Sequence, residues 1–102
     1  MIPVCRADAL AEGGAVRIQA DVPVAVFRTG GQLYAVDDTC THQDASLTDG
    51  YLEGCFVECP LHASTFDLRT GKPSGPPAKV ALRTHGVIVQ DDIIFLVPSA
   101  AT

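Results

Sequence analysis

Residues 15–36, AVRIQADVPVAVFRTGGQLYAV, are the stretch from which the fold class follows. The runs AVRIQA, VPVAVFR and QLYAV combine β-branched residues with alternation of apolar and polar side chains, which is the pattern of β-strands. Thr29-Gly30-Gly31 separates the second run from the third, and paired glycines at such a place indicate a tight hairpin turn. The stretch therefore predicts three short strands, the last two of them joined as a hairpin.

The rest of the chain extends this pattern. Asp91-Asp92 is placed as the two-residue loop of another hairpin, and Asp8 is predicted to cap a single helical turn from Ala9 to Glu12. No longer stretch has a 3.6-residue period, so the sequence predicts an all-β fold, a small antiparallel sandwich or barrel. The further strand candidates are CFVEC (55–59), TFDLRTGKP (65–73), KVALRT (79–84), VIVQ (87–90) and IIFLV (93–97).

The bulk properties narrow the possible functions. A chain of 102 residues is expected to form one domain, residues 1–102, and a formal charge of −5 without any Lys/Arg cluster argues against nucleic acid and anionic membranes as partners. The N-terminus MIPVCRADAL lacks the features of a signal peptide, and apolar runs such as DIIFLV are too short to cross a bilayer. We therefore expect a cytoplasmic monomer, whose cysteines bind metal or stay reduced.

Two Cys/His pairs lie on polar loops between the predicted strands. Cys40 and His42 form a C-x-H pair, Cys59 and His62 form a C-x-x-H pair, and sixteen residues separate the two. Zinc accepts two thiolates and two imidazoles, although its first ligands more often follow a C-x2–4-C spacing. An iron–sulfur cluster with mixed ligands suits the tight first pair better, and a Cys/His nucleophilic dyad would leave one pair without a role.

The two pairs and their surroundings resemble Rieske-type [2Fe–2S] proteins. The similar parts are the boxes CTH (40–42) and CPLH (59–62) and the stretch ASTFDLRTGKPSGPPA (63–78), which looks like the family's second cluster loop, its hairpin and its proline loop. The resemblance implies that Cys40 and Cys59 bind one iron, and that His42 and His62 bind the other through Nδ1. It also implies a Rieske-like sandwich or barrel with a cluster-binding loop subdomain over about residues 38–80.

The resemblance also implies a function. Small members of this kind are ferredoxins of bacterial aromatic-ring-hydroxylating dioxygenase systems, which carry single electrons from an NAD(P)H-dependent flavoprotein reductase to a terminal oxygenase. Such a chain is not an enzyme by itself. A small subunit of an assimilatory nitrite reductase is the alternative with the same cluster, and a structural zinc-binding interaction module is the alternative from another class.

Three positions predict a low reduction potential, and a fourth, Ser64, is the residue expected to raise it slightly. High-potential members of the family have a disulfide between the cluster loops and a tyrosine that donates a hydrogen bond to a cluster thiolate. The corresponding positions here are Ala45 and Leu61 for the cysteines and Phe66 for the tyrosine, while Ser64 retains a hydroxyl. Fewer donors to the sulfurs mean less stabilisation of an added electron, so the potential should lie low in the range of roughly −150 to +300 mV known for such centres.

The remaining reactive residues have simpler interpretations. His85 is expected to be a surface or packing residue at a turn, and Cys5 and Cys55 to be buried, inert thiols in strands. Pro60, Leu61 and the SGPPA loop are expected to form an apolar collar round the histidines. The acidic residues around the cluster loops are each expected to lie on a solvated face, and together they offer a surface that would steer a basic partner: Asp37, Asp38, Asp44, Asp49, Glu53 and Glu58.

Overall fold

The computed structural model describes residues 1–40, 45–60, 64–74 and 80–98, which contain nine β-strands and two 3-10 turns. The strands are β1 (Ile2–Arg6), β2 (Ala15–Gln19), β3 (Pro23–Thr29), β4 (Gln32–Asp37), β5 (Tyr51–Glu53), β6 (Phe56–Glu58), β7 (Thr65–Asp67), β8 (Thr84–Gln90) and β9 (Ile93–Val97). The 3-10 turns are Ala7–Ala9 and Leu47–Asp49. The predicted all-β fold is confirmed.

The strands form two antiparallel sheets. Six strands make a barrel-like sheet in the order β1-β9-β8-β4-β3-β2, and the other three make a small sheet in the order β5-β6-β7. The small sheet is inserted between β4 and β8. Its strands β5 and β6 lie between the segments that hold the two Cys/His pairs, and β7 follows the second of these segments. The large sheet is therefore the scaffold, and the insertion is the predicted cluster-binding part.

Strand β3 is buried on both faces and divides the interior into two hydrophobic cores. Val24 and Val26 point to one side and Ala25 and Phe27 to the other, which explains why this strand reads as a nearly continuous apolar run. The first group, here called the barrel core, is Leu10, Val24, Val26, Ala35, Ile94 and Leu96. The second, here called the interlayer core, is Ala25, Phe27, Val36, Cys40, Leu47, Val57, Cys59, Phe66, Leu68 and Leu82.

Both predicted hairpin turns are confirmed. Gly30 and Gly31 connect β3 to β4 with φ of +60° and +75°, a conformation that glycine adopts without a steric penalty. Asp91 and Asp92 connect β8 to β9 with φ of +53° and +63°, and aspartate is one of the few other residues that tolerate this region. Each turn has the left-handed residues that a two-residue hairpin loop requires.

The predicted helical turn from Ala9 to Glu12 is wrong. The 3-10 turn covers Ala7–Ala9, and its preceding residue, Arg6, makes no side-chain cap. Asp8 lies inside the turn rather than before it, and its carboxylate pairs with Arg6 at 3.2 Å. The ion pair fixes the aspartate side chain away from the backbone N–H groups that a cap would satisfy.

The strand predicted over KVALRT begins only at Thr84. Just before it, the N–H of Leu82 donates to the carbonyl of Gly71, in the turn after β7, at 2.7 Å. The carbonyl of Arg83 accepts from the N–H of Asp37, the last residue of β4, at 3.0 Å. Leu82 also buries its side chain in the interlayer core. Residues 80–83, which the sequence pattern placed in a strand, therefore connect the small sheet to the large sheet, and we call them the tether.

Candidate metal centre

The two predicted cysteine ligands occupy equivalent places at the bases of two loops. The N–H of Cys40 donates to the carbonyl of Ala45, and the N–H of Cys59 donates to the carbonyl of Ser64, each at 2.9 Å. Both loops are thus closed by a hydrogen bond from the cysteine to the fifth residue after it. His42 and His62 belong to the segments 41–44 and 61–63, which lie outside the described residues.

Cys40 and Cys59 share one apolar environment. Their exposed fractions are 3% and 1%, and both belong to the interlayer core. Buried thiolate sulfur is the donor that iron–sulfur clusters and structural zinc sites select, so the described half of the donor set fits the cofactor that the sequence predicts. Within the described ranges no three Cys, His, Asp or Glu side chains come together as a metal site, since both predicted imidazole ligands fall in the gaps.

Asp38 anchors the first loop from below. Its carboxylate is 1% exposed and accepts hydrogen bonds from the Ser46 hydroxyl at 2.6 Å, the Thr48 N–H at 2.9 Å and the Thr48 hydroxyl. Arg17 on β2 lies 3.4 Å away and supplies a positive charge. The Asp38 carbonyl also accepts from the N–H of Leu47 at 2.7 Å. These bonds join the two ends of the loop that carries Cys40 and fix it to the scaffold.

The burial of Asp38 corrects the prediction that it belongs to a solvated acidic surface. A carboxylate this deep is retained only where charged and hydrogen-bonding partners compensate for its lost hydration. The sequence offered a weak signal, since Asp38 directly precedes the loop and Ser46 and Thr48 directly follow it. Such hydroxyl residues are the usual partners of a buried carboxylate at the base of a loop.

The second loop continues into β7 and a tight turn. Phe66 is fully buried in the interlayer core, and the hydroxyls of Thr65 and Ser74 bond to each other on the opposite face. The turn after β7 needs Gly71, because its φ is +78° and a Cβ at this position would lie 2.1 Å from the carbonyl oxygen of Leu82. Strand β7, the turn that follows it and the tether are therefore packed together next to the end of the second loop.

An ion pair stiffens the same turn. Arg69 donates to both carboxylate oxygens of Asp67, at 3.0 and 2.9 Å, and its own N–H donates to the first of them at 2.9 Å. The side-chain hydrogen bonds from Arg69 lower the pKa of Asp67, and the backbone bond lowers it further. Asp67 is therefore charged at neutral pH, and this charge is neutralised within the chain.

Ser64 is fully buried, as a residue directed towards a cofactor would be. It directly follows the second box, and its carbonyl closes the loop of Cys59. Ala45 has the equivalent place in the first loop and packs against the interlayer core. The first loop therefore ends at a methyl side chain, that of Ala45, and the second loop ends at a hydroxyl side chain, that of Ser64.

His85 is a packing residue, as predicted, although it lies within strand β8 and not at a turn. Its side chain is fully buried, and Nε2 lies 2.7 Å from Oδ1 of Asp37. Arg83 approaches the same carboxylate oxygen at 3.4 Å and extends to Asp21 at 3.5 Å. The burial of His85 in the large sheet, against Asp37, is consistent with the prediction that this histidine is not a cluster ligand.

The prediction that Cys5 and Cys55 are buried is wrong. Both are only half-buried, and Cys55 lies in the turn between β5 and β6, where a loop position gives it access to solvent. Burial, together with the neighbouring Cys55 thiol, raises the pKa of the Tyr34 hydroxyl. No helix within the described ranges is long and apolar enough to span a membrane.

The chain is similar to proteins of known kind along almost its whole length. The pattern of the Rieske [2Fe-2S] domain matches residues 1–86. The 3-phenylpropionate/cinnamic acid dioxygenase ferredoxin subunit of Photorhabdus laumondii is 43% identical over 97 residues, which are 94% of this chain and 92% of that protein.

Solved structures agree with this similarity. The ferredoxin of carbazole 1,9a-dioxygenase from Nocardioides aromaticivorans IC177 superposes with a TM-score of 0.89 at 33% identity, covering 97% of this chain and all of that one. A chain in the complex of reduced oxygenase and oxidized ferredoxin of carbazole 1,9a-dioxygenase superposes at 0.91 with 36% identity, covering 98% of this chain and 96% of that one. A nitrite reductase small subunit from Mycobacterium tuberculosis superposes at 0.86 with 22% identity, covering 97% of this chain and 95% of that one, a likeness of fold alone. The matched domain, the length of the similarity and the paired loop cysteines place this chain in the Rieske [2Fe-2S] domain family.

Proposed function

We propose that the chain is the ferredoxin component of an aromatic-ring-hydroxylating dioxygenase system. It carries single electrons from an NAD(P)H-dependent flavoprotein reductase to a terminal oxygenase. The observation that carries the proposal is 43% identity over nearly the full length of a dioxygenase ferredoxin subunit. The nitrite reductase subunit is a weaker alternative, because its similarity of 22% extends only to the fold.

The proposed cofactor ligands are the four residues of the two boxes. Cys40 and Cys59 would hold one iron, and His42 and His62 the other. The bound cluster supplies a site that takes up and releases one electron. With two neutral imidazoles in place of two thiolates the site is less negative, so reduction costs less than in an all-cysteine cluster.

The chain's own residues prepare this site for electron transfer. Burial of Cys40 and Cys59 keeps water from the sulfurs, and the bonds around Asp38 hold the first loop in one arrangement. A loop held in place has little to rearrange when the charge of the site changes, which favours rapid exchange. The histidine rings would connect the metal to the protein surface, where partners dock.

Catalysis of ring hydroxylation is left to another polypeptide in this proposal. A mononuclear oxygen-activating iron needs two histidines and a carboxylate. The chain has three histidines; two are proposed as cluster ligands, and the third, His85, is buried against Asp37. We propose in addition that residues 1–102 form one domain with its cluster-binding part over about 38–80, and that the protein is a cytoplasmic monomer.

The electron paramagnetic resonance spectrum of the dithionite-reduced protein tests the proposal. We expect the signal of a mixed-ligand [2Fe–2S] centre, with a lower average g value than an all-cysteine cluster gives. His42→Ala and His62→Ala should each lose the signal and the bound iron. His85→Gln, which keeps a hydrogen-bond donor for Asp37, should retain both.

Two outcomes would contradict the ligand assignment. A colourless protein with tightly bound zinc and no signal would identify a structural zinc module. Full iron and sulfide content in His42→Ala or His62→Ala would show that other residues hold the metal. Electron transfer from a reductase to an oxygenase, measured with the intact protein, then tests the role of carrier.

A further inference from the structure

The small sheet presents one face to solvent. Its buried side is Leu52, Val57 and Phe66, which contact the interlayer core or belong to it. The cross-strand pairs Tyr51–Glu58, Glu53–Phe56, Glu58–Thr65 and Phe56–Asp67 occupy the other side. We call these six residues the outer face: Tyr51, Glu53, Phe56, Glu58, Thr65 and Asp67.

The outer face is concave and unusually aromatic for an exposed sheet surface. All of its residues except Asp67 line a cleft of about 560 Å³, which Leu52, Gly54 and Ser74 also line. Tyr51 is 64% exposed and Phe56 is 38% exposed, so both aromatic side chains are in part accessible to solvent. Exposed aromatic side chains in a cleft mark a recognition surface more often than a solvated one.

The charge on this face is negative and lacks compensation within the described chain. Asp67 is paired with Arg69, but neither Glu53 nor Glu58 has a hydrogen bond or ion pair there. Of the arginines in the described ranges, Arg69 pairs with Asp67 on the face itself, and the others are engaged elsewhere. These others bind Asp8, Asp38, Asp37 and Asp21, or, for Arg28, the backbone carbonyls of Ala7 and Leu10.

The alternation of carboxylates and aromatic rings on the outer face indicates which chemical group would bind there. A guanidinium group stacks on an aromatic face and bonds to a carboxylate through the same planar group. A second copy of this chain would bring the same two glutamates and a net charge of −5, and nucleic acid would bring phosphates. Each of these would be repelled, which leaves a basic protein segment.

The face borders the candidate metal centre. Glu58 directly precedes Cys59, and Thr65 directly follows Ser64, the residue whose carbonyl closes the second loop. A protein seated on the outer face therefore lies against the base of that loop. This chain superposes, at 36% identity, on a chain of the complex between oxygenase and ferredoxin of carbazole 1,9a-dioxygenase.

We propose that the outer face binds an arginine-bearing segment of the terminal oxygenase. The inference rests on the proposed function, since it assigns part of the docking surface of the electron acceptor. Tyr51 and Phe56 stack on the arginine side chain, while Glu53 and Glu58 pair with its charge. Thr65 and Ser74 supply hydroxyls at the edge nearest the second loop.

The test uses the intact, cluster-loaded protein and the terminal oxygenase of a 3-phenylpropionate dioxygenase system as the probe. The double variant Glu53→Gln/Glu58→Gln removes two charges from the face with little change of shape. We expect its dissociation constant for the oxygenase to rise about three- to tenfold at low ionic strength, with the difference shrinking as salt is added. Tyr51→Ser should weaken binding about threefold, independently of salt.

A matched control separates the face from the overall charge. Asp91→Asn/Asp92→Asn also removes two charges, at the exposed β8–β9 hairpin, where asparagine tolerates the positive φ of both residues. This variant should bind the oxygenase within about 1.5-fold of the unmodified protein, because the hairpin is not part of the outer face. An unchanged resonance spectrum and potential in every variant will show that the cluster is intact.

The outcomes distinguish this inference from the proposed function. If the unmodified protein binds and reduces the oxygenase but the outer-face variants bind equally well, the inference fails and the proposed function stands. Equal weakening by the hairpin control, or weakening confined to the reductase, also overturns it. If the unmodified protein neither binds nor reduces any dioxygenase oxygenase, the proposed function fails and the inference with it.

Discussion

At the scale of single residues, Asp38 shows how a buried charge can serve a neighbouring ligand. Its carboxylate accepts from Ser46 and Thr48 across the base of the loop that carries Cys40, and Arg17 balances its charge. The conformation of the loop that carries Cys40 therefore depends on the Asp38 side chain. A buried acceptor that loses one partner leaves the others unsatisfied, so a small change here should have a large effect.

Asp38→Asn should lower the free energy of unfolding by about 2 kcal/mol and hasten loss of the cluster. The amide presents N–H groups where the carboxylate accepts, while Arg17 is 55% exposed and stays hydrated. Urea denaturation followed by circular dichroism and by visible absorbance measures both effects. Asp49→Asn, an exposed position in the neighbouring 3-10 turn, is the control and should change neither quantity.

We expect Ser64 to be the residue that raises the reduction potential of the proposed cluster. Its side chain is fully buried at the end of the second loop, whereas the Thr65 hydroxyl bonds to Ser74 on the opposite face. Ser64→Ala should lower the reduction potential by about 40 mV, since one hydrogen bond of about 1 kcal/mol corresponds to that shift for one electron. Thr65→Val, which removes the adjacent hydroxyl, should leave it unchanged; equal shifts in voltammetry would contradict this role for Ser64.

At the scale of elements, the β3–β4 hairpin is held by a side chain from an earlier loop. Glu12 accepts from the N–H groups of Gly30 and Gly31, at 2.6 and 3.0 Å. These backbone bonds lower the pKa of Glu12 from its ordinary value of 4.5, and the bond from Gly31 has the larger effect. The turn residues supply the geometry, and the carboxylate satisfies donors that the turn leaves free.

The lowered pKa gives the hairpin a pH dependence. A carboxylate that is more acidic in the folded state contributes stability above its unfolded pKa, and the contribution is lost as the pH falls through the folded value. Glu12→Gln should therefore speed hydrogen exchange at Gly30 and Gly31 at neutral pH. The difference from the unmodified protein should diminish well below pH 4.5, and a difference independent of pH would show that charge is not involved.

The elements also show what sequence patterns can predict. Paired glycines and paired aspartates located both two-residue turns because few residues adopt a positive φ. The strand over KVALRT was predicted too early, since an apolar residue that docks into a core, here Leu82, resembles one that pairs in a sheet. Strand β5 was not predicted, because its three residues are too few to show a clear alternation.

The site was predictable to a different degree. The ligand boxes were visible because their residue types are rare and their spacing is tight, and the structure places Cys40 and Cys59 in equivalent loop positions. The supporting contacts of Asp38 were not visible, since a carboxylate on its own predicts a solvated surface. Its burial depends on Arg17, whose distance in sequence hides the pairing.

At the scale of the whole molecule, strand β3 joins two cores that depend differently on the cofactor. The barrel core contains residues of the large sheet and Leu10, while the interlayer core includes Cys40 and Cys59 and covers the small sheet. A bound cluster would stabilise the interlayer core directly, because metal binding to folded ligands adds its free energy to folding. The barrel core would gain only through β3 and β4.

Removal of the cluster by a chelator should therefore loosen one half of the molecule. We expect amides of β5, β6 and β7 to lose protection from hydrogen exchange, while amides of β3, β8 and β9 stay protected. Mass spectrometry of the cluster-free protein measures both sets. Uniform loss of protection would show that the molecule unfolds as a single unit when the metal leaves.

Two matched valine-to-alanine substitutions test the same difference between the two cores in the cluster-loaded protein. Val57 and Val26 are both fully buried in strands, the first in the interlayer core and the second in the barrel core. Val57→Ala and Val26→Ala should each cost about 2 kcal/mol of stability through the cavity they leave. Only Val57→Ala should speed cluster loss to a chelator, because only that cavity opens beside the cysteines. Equal rates of loss would mean that the cores are coupled through β3 tightly enough for damage in either one to reach the metal.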